Sequence, residues 1–216
     1  MEAARMWQVI TTQREKLHEL LRELDTWQWQ AESLCRGWTV QDVAAHVISA
    51  PQQRMAPMLA TLPKILLHGY DGMVLRDAQH RSRAGQAAIL QQFERWAPVP
   101  KGPAMVPALE TLTDTLVHFQ DIVRPLGIEH HMPIEAAEAV ARRLSRTGMM
   151  LGSRTLMKTV RMQAGDCAFA AGRGPAVSGP VEELVMLRAG RSARWELLSG
   201  PGAVLAREIW QERQSR

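Results

Sequence analysis

The sequence is poor in cysteine, with only Cys35 and Cys167 among 216 residues. Two cysteines 132 positions apart do not make a disulfide framework. Neither belongs to a CxxC pair or a Cys/His cluster of the kind that holds structural zinc. We therefore interpret both as small buried side chains. A catalytic Cys167 stays an alternative, although the sequence places no histidine near it.

The sequence also has no long apolar run. None of its hydrophobic stretches approaches the roughly 18 residues that a membrane-spanning helix needs. The N-terminus is charged from Glu2 onward and has no apolar signal core. Hydrophobic residues make up 46% and charged residues 22%, an ordinary balance for a globular chain. We expect a cytoplasmic protein with no membrane partner.

Lysine is scarce, because only 4 of the 26 basic residues are lysines and the rest are arginines. The formal net charge is +4, and the arginines are spread along the chain rather than gathered in a stripe. A nucleic-acid-binding protein is expected to show a basic stripe and a recognition motif. The sequence has neither, so we expect no nucleic-acid partner.

The first two thirds of the chain has helical periodicity. Apolar residues at three- and four-residue spacing predict helices over residues 3–30, 82–96, 108–123 and 133–147. Another helix is predicted to start after Thr39, a natural N-cap, with Asp42 completing a capping box.

The pattern changes after Gly148. Short strands are predicted at residues 158–162, 167–171 and 176–178, followed by a helix over 180–189 and a last helix ending near Trp210. The predicted fold class is therefore α+β, with a helical bundle over residues 1–148 and a small α/β domain over 149–216.

The strongest local signal for chemistry is Asp114 followed four residues later by His118. Residues at this spacing share one face of a helix, so a carboxylate and an imidazole could hold the same divalent metal ion. His46, on the capped helix, is the best candidate for a third ligand. Three protein ligands with one open position are typical of a catalytic rather than a structural zinc site.

The same helix also supports a plainer interpretation. At 100° per residue, Asp114 and His118 point roughly away from its apolar stripe. The alternative is then a solvated polar face without a metal, and a metal site requires that face to line a cleft. The stripe consists of Leu109, Leu112, Leu116, Phe119 and Val123, and the polar face of Glu110, Asp114, His118 and Asp121.

Several segments carry a family resemblance. Residues 37–47 (GWTVQDVAAHV) and 114–127 (DTLVHFQDIVRPLG) resemble two motifs of the mycothiol-dependent maleylpyruvate isomerase family. Residues 174–180 (GPAVSGP), 187–191 (LRAGR) and 198–202 (LSGPG) resemble its short C-terminal domain. The resemblance implies a DinB-like four-helix bundle followed by a small sterol-carrier-like α/β domain.

The resemblance also implies a cofactor set. In this family a divalent metal, usually Zn²⁺, would be held by the residues that match His46, Asp114 and His118. The metal activates mycothiol, an actinobacterial thiol, and the thiolate attacks a small electrophilic substrate in an isomerase or transferase reaction. The well-studied members have glutamate where this chain has Asp114, and Glu110, one turn earlier, is an alternative carboxylate.

Arg191 is the predicted catalytic residue of the C-terminal domain, because an arginine there could bind a substrate carboxylate or the thiol cofactor. The alternative for Arg191 is an ordinary arginine at a helix end. The alternative for the whole protein is a non-catalytic DinB-fold binding protein that has lost the metal. A small-molecule substrate and a low-molecular-weight thiol are the expected partners, and a homodimer is left open.

Overall fold

The computed structural model describes residues 1–53, 72–147 and 154–214. Its contacts divide the chain into two compact units: Glu2–His130, the first unit, and His131–Arg216, the second unit. Among the described residues, no helix is both long and apolar enough to cross a membrane. The predicted boundary between residues 148 and 149 lies outside the described residues and stays a prediction.

The first unit is helical. The predicted helix over 3–30 is divided in two because the Asp25 carboxylate accepts a hydrogen bond from the backbone N–H of Gln28 and starts a new helix. The helix predicted from residue 82 begins instead after Gly85, whose φ is 84°. The helices of the first unit are α1 (Ala3–Glu23), α2 (Thr26–Gln30), α3 (Val40–Ser49), α4 (residues 72–82), α5 (Gln86–Trp96) and α6 (Ala108–Val123).

Four of these helices form a bundle. Helix α1 packs against α5 and α6, and α3 packs against the same two helices, so each helix has two neighbours. The interior is filled by fully buried apolar side chains, each stabilising the fold by about 1.5–3 kcal/mol on burial. They include Leu17, Val43, Ile48, Phe93 and Ile122.

Helix α6 is buried on more than one side because it contacts both α1 and α3. Its predicted apolar stripe is largely buried, but so are Thr115, Gln120 and Asp121. The polar residues of α6 therefore do not form the solvated face that the helical pattern allowed. The side chain of Asp121 has no exposed surface at all.

The second unit combines helices with a small sheet. Strand β1 lies in the middle, antiparallel to β2 and parallel to β3, with Met162 opposite both Ala171 and Val177. The predicted α+β class, mostly helical with a small sheet near the C-terminus, is confirmed. The elements of the second unit are α7 (Ile134–Thr147), α8 (Arg154–Thr159), β1 (Arg161–Ala164), β2 (Ala170–Gly172), β3 (Ala176–Gly179), α9 (Val181–Arg188) and α10 (Pro201–Gln214).

Helix α7 belongs to the second unit by its contacts. Ala136, Ala137 and Val140 are fully buried, and the helix packs against α9. The division by contacts therefore falls before α7, whereas the boundary predicted from the sequence falls after it. The sequence pattern shows that α7 has an apolar face but not which partner covers that face.

Candidate metal centre

The position of His46 is set by the start of α3. The Thr39 hydroxyl accepts a hydrogen bond from the Asp42 N–H at 3.2 Å, and the Asp42 carboxylate accepts one from the Thr39 N–H at 2.9 Å. This reciprocal cap, predicted from the sequence, fixes the first turn of the helix. His46 lies about two turns after Thr39, on the helix that packs against α6.

The structure brings the three predicted ligands together. His46 Nε2 and His118 Nε2 each lie 3.3 Å from Asp114 Oδ1. The two imidazole rings are nearly perpendicular, with centroids 5.0 Å apart. The three donor atoms all lie within 4.8 Å of one another, and the side chains of His46, Asp114 and His118 are 17%, 34% and 12% exposed.

This arrangement fits a zinc ion. Zinc binds imidazole nitrogen and carboxylate oxygen at about 2.0–2.2 Å, so two ligands of a tetrahedral ion lie about 3.3–3.5 Å apart. The separations of 3.3 Å between each imidazole nitrogen and the carboxylate oxygen match that value. Among the described residues, two groups have donor atoms close enough to hold one metal ion, this one and Cys35 with His118 and Asp121, and neither contains Glu110.

The electrostatics of the cluster favour a positive charge beside Asp114. Burial acts to raise the pKa of Asp114, but His118 and His46 outweigh it and hold that pKa well below its ordinary value. Burial acts to lower the pKa of His118, but the charge of Asp114, with help from Cys35 and Asp121, raises it well above 6.5. A proton on His118 or a metal cation can supply that positive charge.

A second set of groups lies on the other side of the His118 ring. His118 Nδ1 is 2.9 Å from Asp121 Oδ2, and Cys35 Sγ is 3.0 Å from the same oxygen. Cys35 Sγ is also 3.6 Å from His118 Nδ1. The imidazole of His118 therefore connects the three-residue cluster to a buried carboxylate and a buried thiol.

A tight turn places Cys35 beside α6. Glu32 and Thr39 pair as an antiparallel bridge, and between them the chain reverses at Gly37, whose φ is 79°. The N–H of Leu34 donates to the backbone carbonyl of Asp121 at 3.0 Å. This backbone contact fixes the turn to the helix that carries His118.

The same turn carries Trp38, whose indole lies against both histidines. Its ring centroid is 5.4 Å from that of His46, edge on, and 6.2 Å from that of His118, nearly parallel. Trp38 directly precedes Thr39, the N-cap of α3. In the structure it also restricts the two imidazoles that face Asp114.

Sequence reasoning missed the roles of Cys35 and Asp121. Cys35 is buried in the apolar core, as expected, but its sulfur also contacts polar groups, while Cys167 is only half-buried. Cys35 lies 83 residues before His118, and no spacing rule connects them. Asp121 offered a weak signal, because residues three apart are neighbours on a helix.

Arg191 lies in the second unit, where α9 ends. The Gly190 N–H donates to the Leu187 carbonyl, and the Arg191 N–H donates to the Met186 carbonyl, which is a Schellman cap. The Arg191 guanidinium donates to the Ala189 carbonyl at 2.8 Å. These contacts define its local setting, and its catalytic role stays a prediction.

Comparisons with known proteins agree on family and fold. Residues 10–97 match the model of the mycothiol maleylpyruvate isomerase N-terminal domain, a region that includes His46 and ends before α6. No curated protein sequence matches the chain significantly. A crystal structure of the mycothiol-dependent maleylpyruvate isomerase is similar over 94% of both chains, with a TM-score of 0.58 at 15% identity.

A histidine-to-alanine variant of that isomerase gives a TM-score of 0.57 at 14% identity, again over 94% of both chains. At such low identity these likenesses show a shared fold and leave the reaction open. The sequence match and the fold together confirm the resemblance predicted from the motifs. Residues 10–97 of this chain are thus similar in sequence to the N-terminal domain of the mycothiol maleylpyruvate isomerase family.

Proposed function

We propose that this protein is a metal-dependent enzyme that uses a low-molecular-weight thiol, mycothiol, in an isomerase or transferase reaction on a small electrophilic substrate. The observation that most supports the proposal is the pair of 3.3 Å separations linking His46 and His118 to Asp114. The family of residues 10–97 supports the choice of thiol.

The three side chains have suitable chemistry for this task. Two neutral imidazoles and one carboxylate would neutralise only one of the two positive charges of Zn²⁺, so the site would still attract an anionic sulfur. When bound, zinc would lower the pKa of a coordinated thiol, so that the thiolate predominates at neutral pH. Three protein ligands leave a position for that sulfur.

Residues around the cluster would orient these groups. Trp38 packs against both imidazoles and limits their rotation. The side chain of Asp114 is 34% exposed, so a small molecule has access to it. Arg191 belongs to the second unit, and it stays a proposed substrate-binding residue on the chemistry of its side chain alone, since a guanidinium can donate two parallel hydrogen bonds to a carboxylate.

Metal analysis tests the proposal. Protein purified without a chelator or a nickel column should contain one zinc ion per chain. His118→Ala should lose that zinc, while His80→Ala, which changes an exposed histidine, should keep it. Addition of mycothiol to the cobalt-substituted protein should produce a thiolate-to-cobalt charge-transfer band, because the sulfur would enter the open position.

The alternative function predicts other results. A wild-type protein that takes up no zinc or cobalt under any condition would favour a non-catalytic DinB-fold binding protein that has lost the metal. Zinc binding without any response to mycothiol would retain the metal centre but reject the thiol part of the proposal.

A further inference from the structure

The proposed metal chemistry leaves Asp121 without a role, although this carboxylate is fully buried in the bundle. Burying a carboxylate costs several kcal/mol unless donors compensate it. Two donors converge on one of its oxygens, the thiol of Cys35 at 3.0 Å and the Nδ1 of His118 at 2.9 Å. A carboxylate held in this way has a fixed direction.

That direction determines which nitrogen of His118 faces the metal position. A carboxylate oxygen accepts hydrogen bonds, so Nδ1 of His118 must carry the N–H that points at Asp121. In a neutral imidazole the other nitrogen then has the free lone pair. That nitrogen, Nε2, is the atom that lies 3.3 Å from Asp114.

Cys35 acts on Asp121 rather than on the metal position. Its sulfur lies 3.6 Å from Nδ1 of His118, on the side of the ring away from Asp114. The backbone N–H of Leu34 donates to the Asp121 carbonyl, which holds the thiol at this place. The Cys35 S–H and the His118 N–H thus support one rotamer of the Asp121 carboxylate.

The same three groups could in principle form a metal site of their own, but their separations favour hydrogen bonds. Around a tetrahedral zinc ion, a thiolate sulfur and a carboxylate oxygen would lie about 3.5 Å apart. The sulfur of Cys35 and the oxygen of Asp121 are 3.0 Å apart, and the nitrogen of His118 and that oxygen are 2.9 Å apart.

We infer that Asp121 is a positioning residue that holds His118 with Nε2 toward His46 and Asp114, and that Cys35 supports Asp121 in this task. The inference rests on the proposed function, because it concerns the same metal ligand. Groups that hydrogen-bond a metal-bound histidine typically change metal affinity by about 10–100-fold when they are removed.

Zinc affinity of purified variants tests this inference. Asp121→Asn should bind zinc about 10–100-fold more weakly than the wild type, because an amide is a weaker acceptor for the His118 N–H. Cys35→Ser, which keeps a donor, should stay close to the wild type, and Cys35→Ala should lie between the two. Asp77→Asn, a matched change at a surface carboxylate paired with Arg81, should have no effect.

A spectroscopic signature separates positioning from a general effect on folding. In the zinc-loaded wild type, nitrogen-15 NMR of the histidines should show His118 with Nε2 on the metal and a slowly exchanging proton on Nδ1. Asp121→Asn should lose that slow exchange. If the variant does not fold, the wild-type spectrum still tests the inference, because it shows which nitrogen of His118 binds the metal and which carries the proton.

Three outcomes would overturn the inference while the proposed function stands: equal zinc affinity of Asp121→Asn and wild type, zinc bound through Nδ1 of His118, or a thiolate-to-cobalt band from Cys35 in the absence of added thiol. A wild-type protein that binds no metal would overturn both the inference and the proposed function.

Discussion

At the scale of single residues, Asp114 is the point on which both imidazoles converge. Its side chain is one methylene shorter than the glutamate that the family resemblance leads one to expect, and yet its oxygen lies 3.3 Å from each histidine nitrogen. The shorter carboxylate reaches because α3 and α6 pack directly against each other. The group of His46, Asp114 and His118 therefore does not need the carboxylate of Glu110 in place of Asp114.

Replacing Asp114 by asparagine should therefore weaken zinc binding by at least about 100-fold, since the change removes the negative charge and an anionic ligand. Glu110→Gln, the matched change one turn earlier on α6, should remain within about threefold of the wild type. Competition with a chromogenic chelator measures both affinities. Loss of zinc in Glu110→Gln together with normal binding by Asp114→Asn would assign the carboxylate ligand to Glu110.

Arg14 presents a different problem at the same scale. It is fully buried in α1, and its Nη1 donates to the Lys101 carbonyl at 2.9 Å. Its Nε and Nη2 meet no hydrogen-bond acceptor among the described residues. Burial lowers the pKa of Arg14 to about 10, although the charge of Asp114 acts in the opposite direction.

We predict that Arg14→Met stabilises the protein by about 1–3 kcal/mol, because methionine fills a similar volume without burying a charge. The sign follows from the lowered pKa of Arg14, since at neutral pH the guanidinium is charged in both states and its full burial cost opposes folding. Urea unfolding at neutral pH measures the change. A loss of stability would mean that the charge is compensated by groups beyond those described.

The residues of the candidate site were partly predictable. His46, Asp114 and His118 were identified from a helix cap, a four-residue spacing and a family resemblance. Cys35 and Asp121 were not, because their contact depends on a turn at Gly37 and a backbone hydrogen bond between residues 87 apart, Leu34 and Asp121. Such a contact leaves no periodic trace in the sequence.

At the scale of elements, the cap of α3 supports the position of His46. Thr39→Ala should reduce the free energy of unfolding by about 1 kcal/mol, because it leaves the N–H of Asp42 without its hydroxyl acceptor. Thr39→Ser retains the hydroxyl and should cost less than about 0.5 kcal/mol. Thermal unfolding of the two variants side by side makes the comparison. Equal losses would show that the methyl group, and not the cap, stabilises this helix start.

The sequence predicted elements best where local signals decide their ends. Helix α6 spans residues 108–123 as predicted, and α3 starts after its capping box. The first two predicted strands start three residues too early, because backbone pairing between β1 and its neighbours sets the strand limits, whereas the third starts at Ala176 as predicted and ends one residue later. The burial of α6 was underestimated, since its helical pattern cannot show that α1 and α3 cover two of its sides.

At the scale of the whole molecule, the cluster couples stability to pH. The pKa of His118 is raised in the folded protein, so its contribution is complete below pH 6.5 and is lost as the pH rises through the folded-state value. The pKa of Asp114 is lowered, so its contribution is present above pH 3.8 and is lost as the pH falls through the folded-state value. The metal-free protein should gain most from this pair between these two limits.

Zinc should reverse the upper limb of this dependence. Zinc binding requires the Nε2 of His118 to give up its proton. Zinc affinity should therefore rise with pH over the same range in which His118 loses its proton and the metal-free protein loses stability. Zinc at a free concentration 100 times its dissociation constant stabilises a folded protein by about 2.7 kcal/mol.

Urea unfolding with excess chelator and with fixed free zinc, repeated from about pH 6 to about pH 9, should therefore give two curves that diverge as the pH rises. Groups that titrate equally with and without zinc contribute equally to both free energies of unfolding, so they cancel in the difference between the curves. His118→Ala should remove the divergence. Parallel curves for the wild type would show that no proton leaves His118 when zinc binds, and would place the cation elsewhere in the protein.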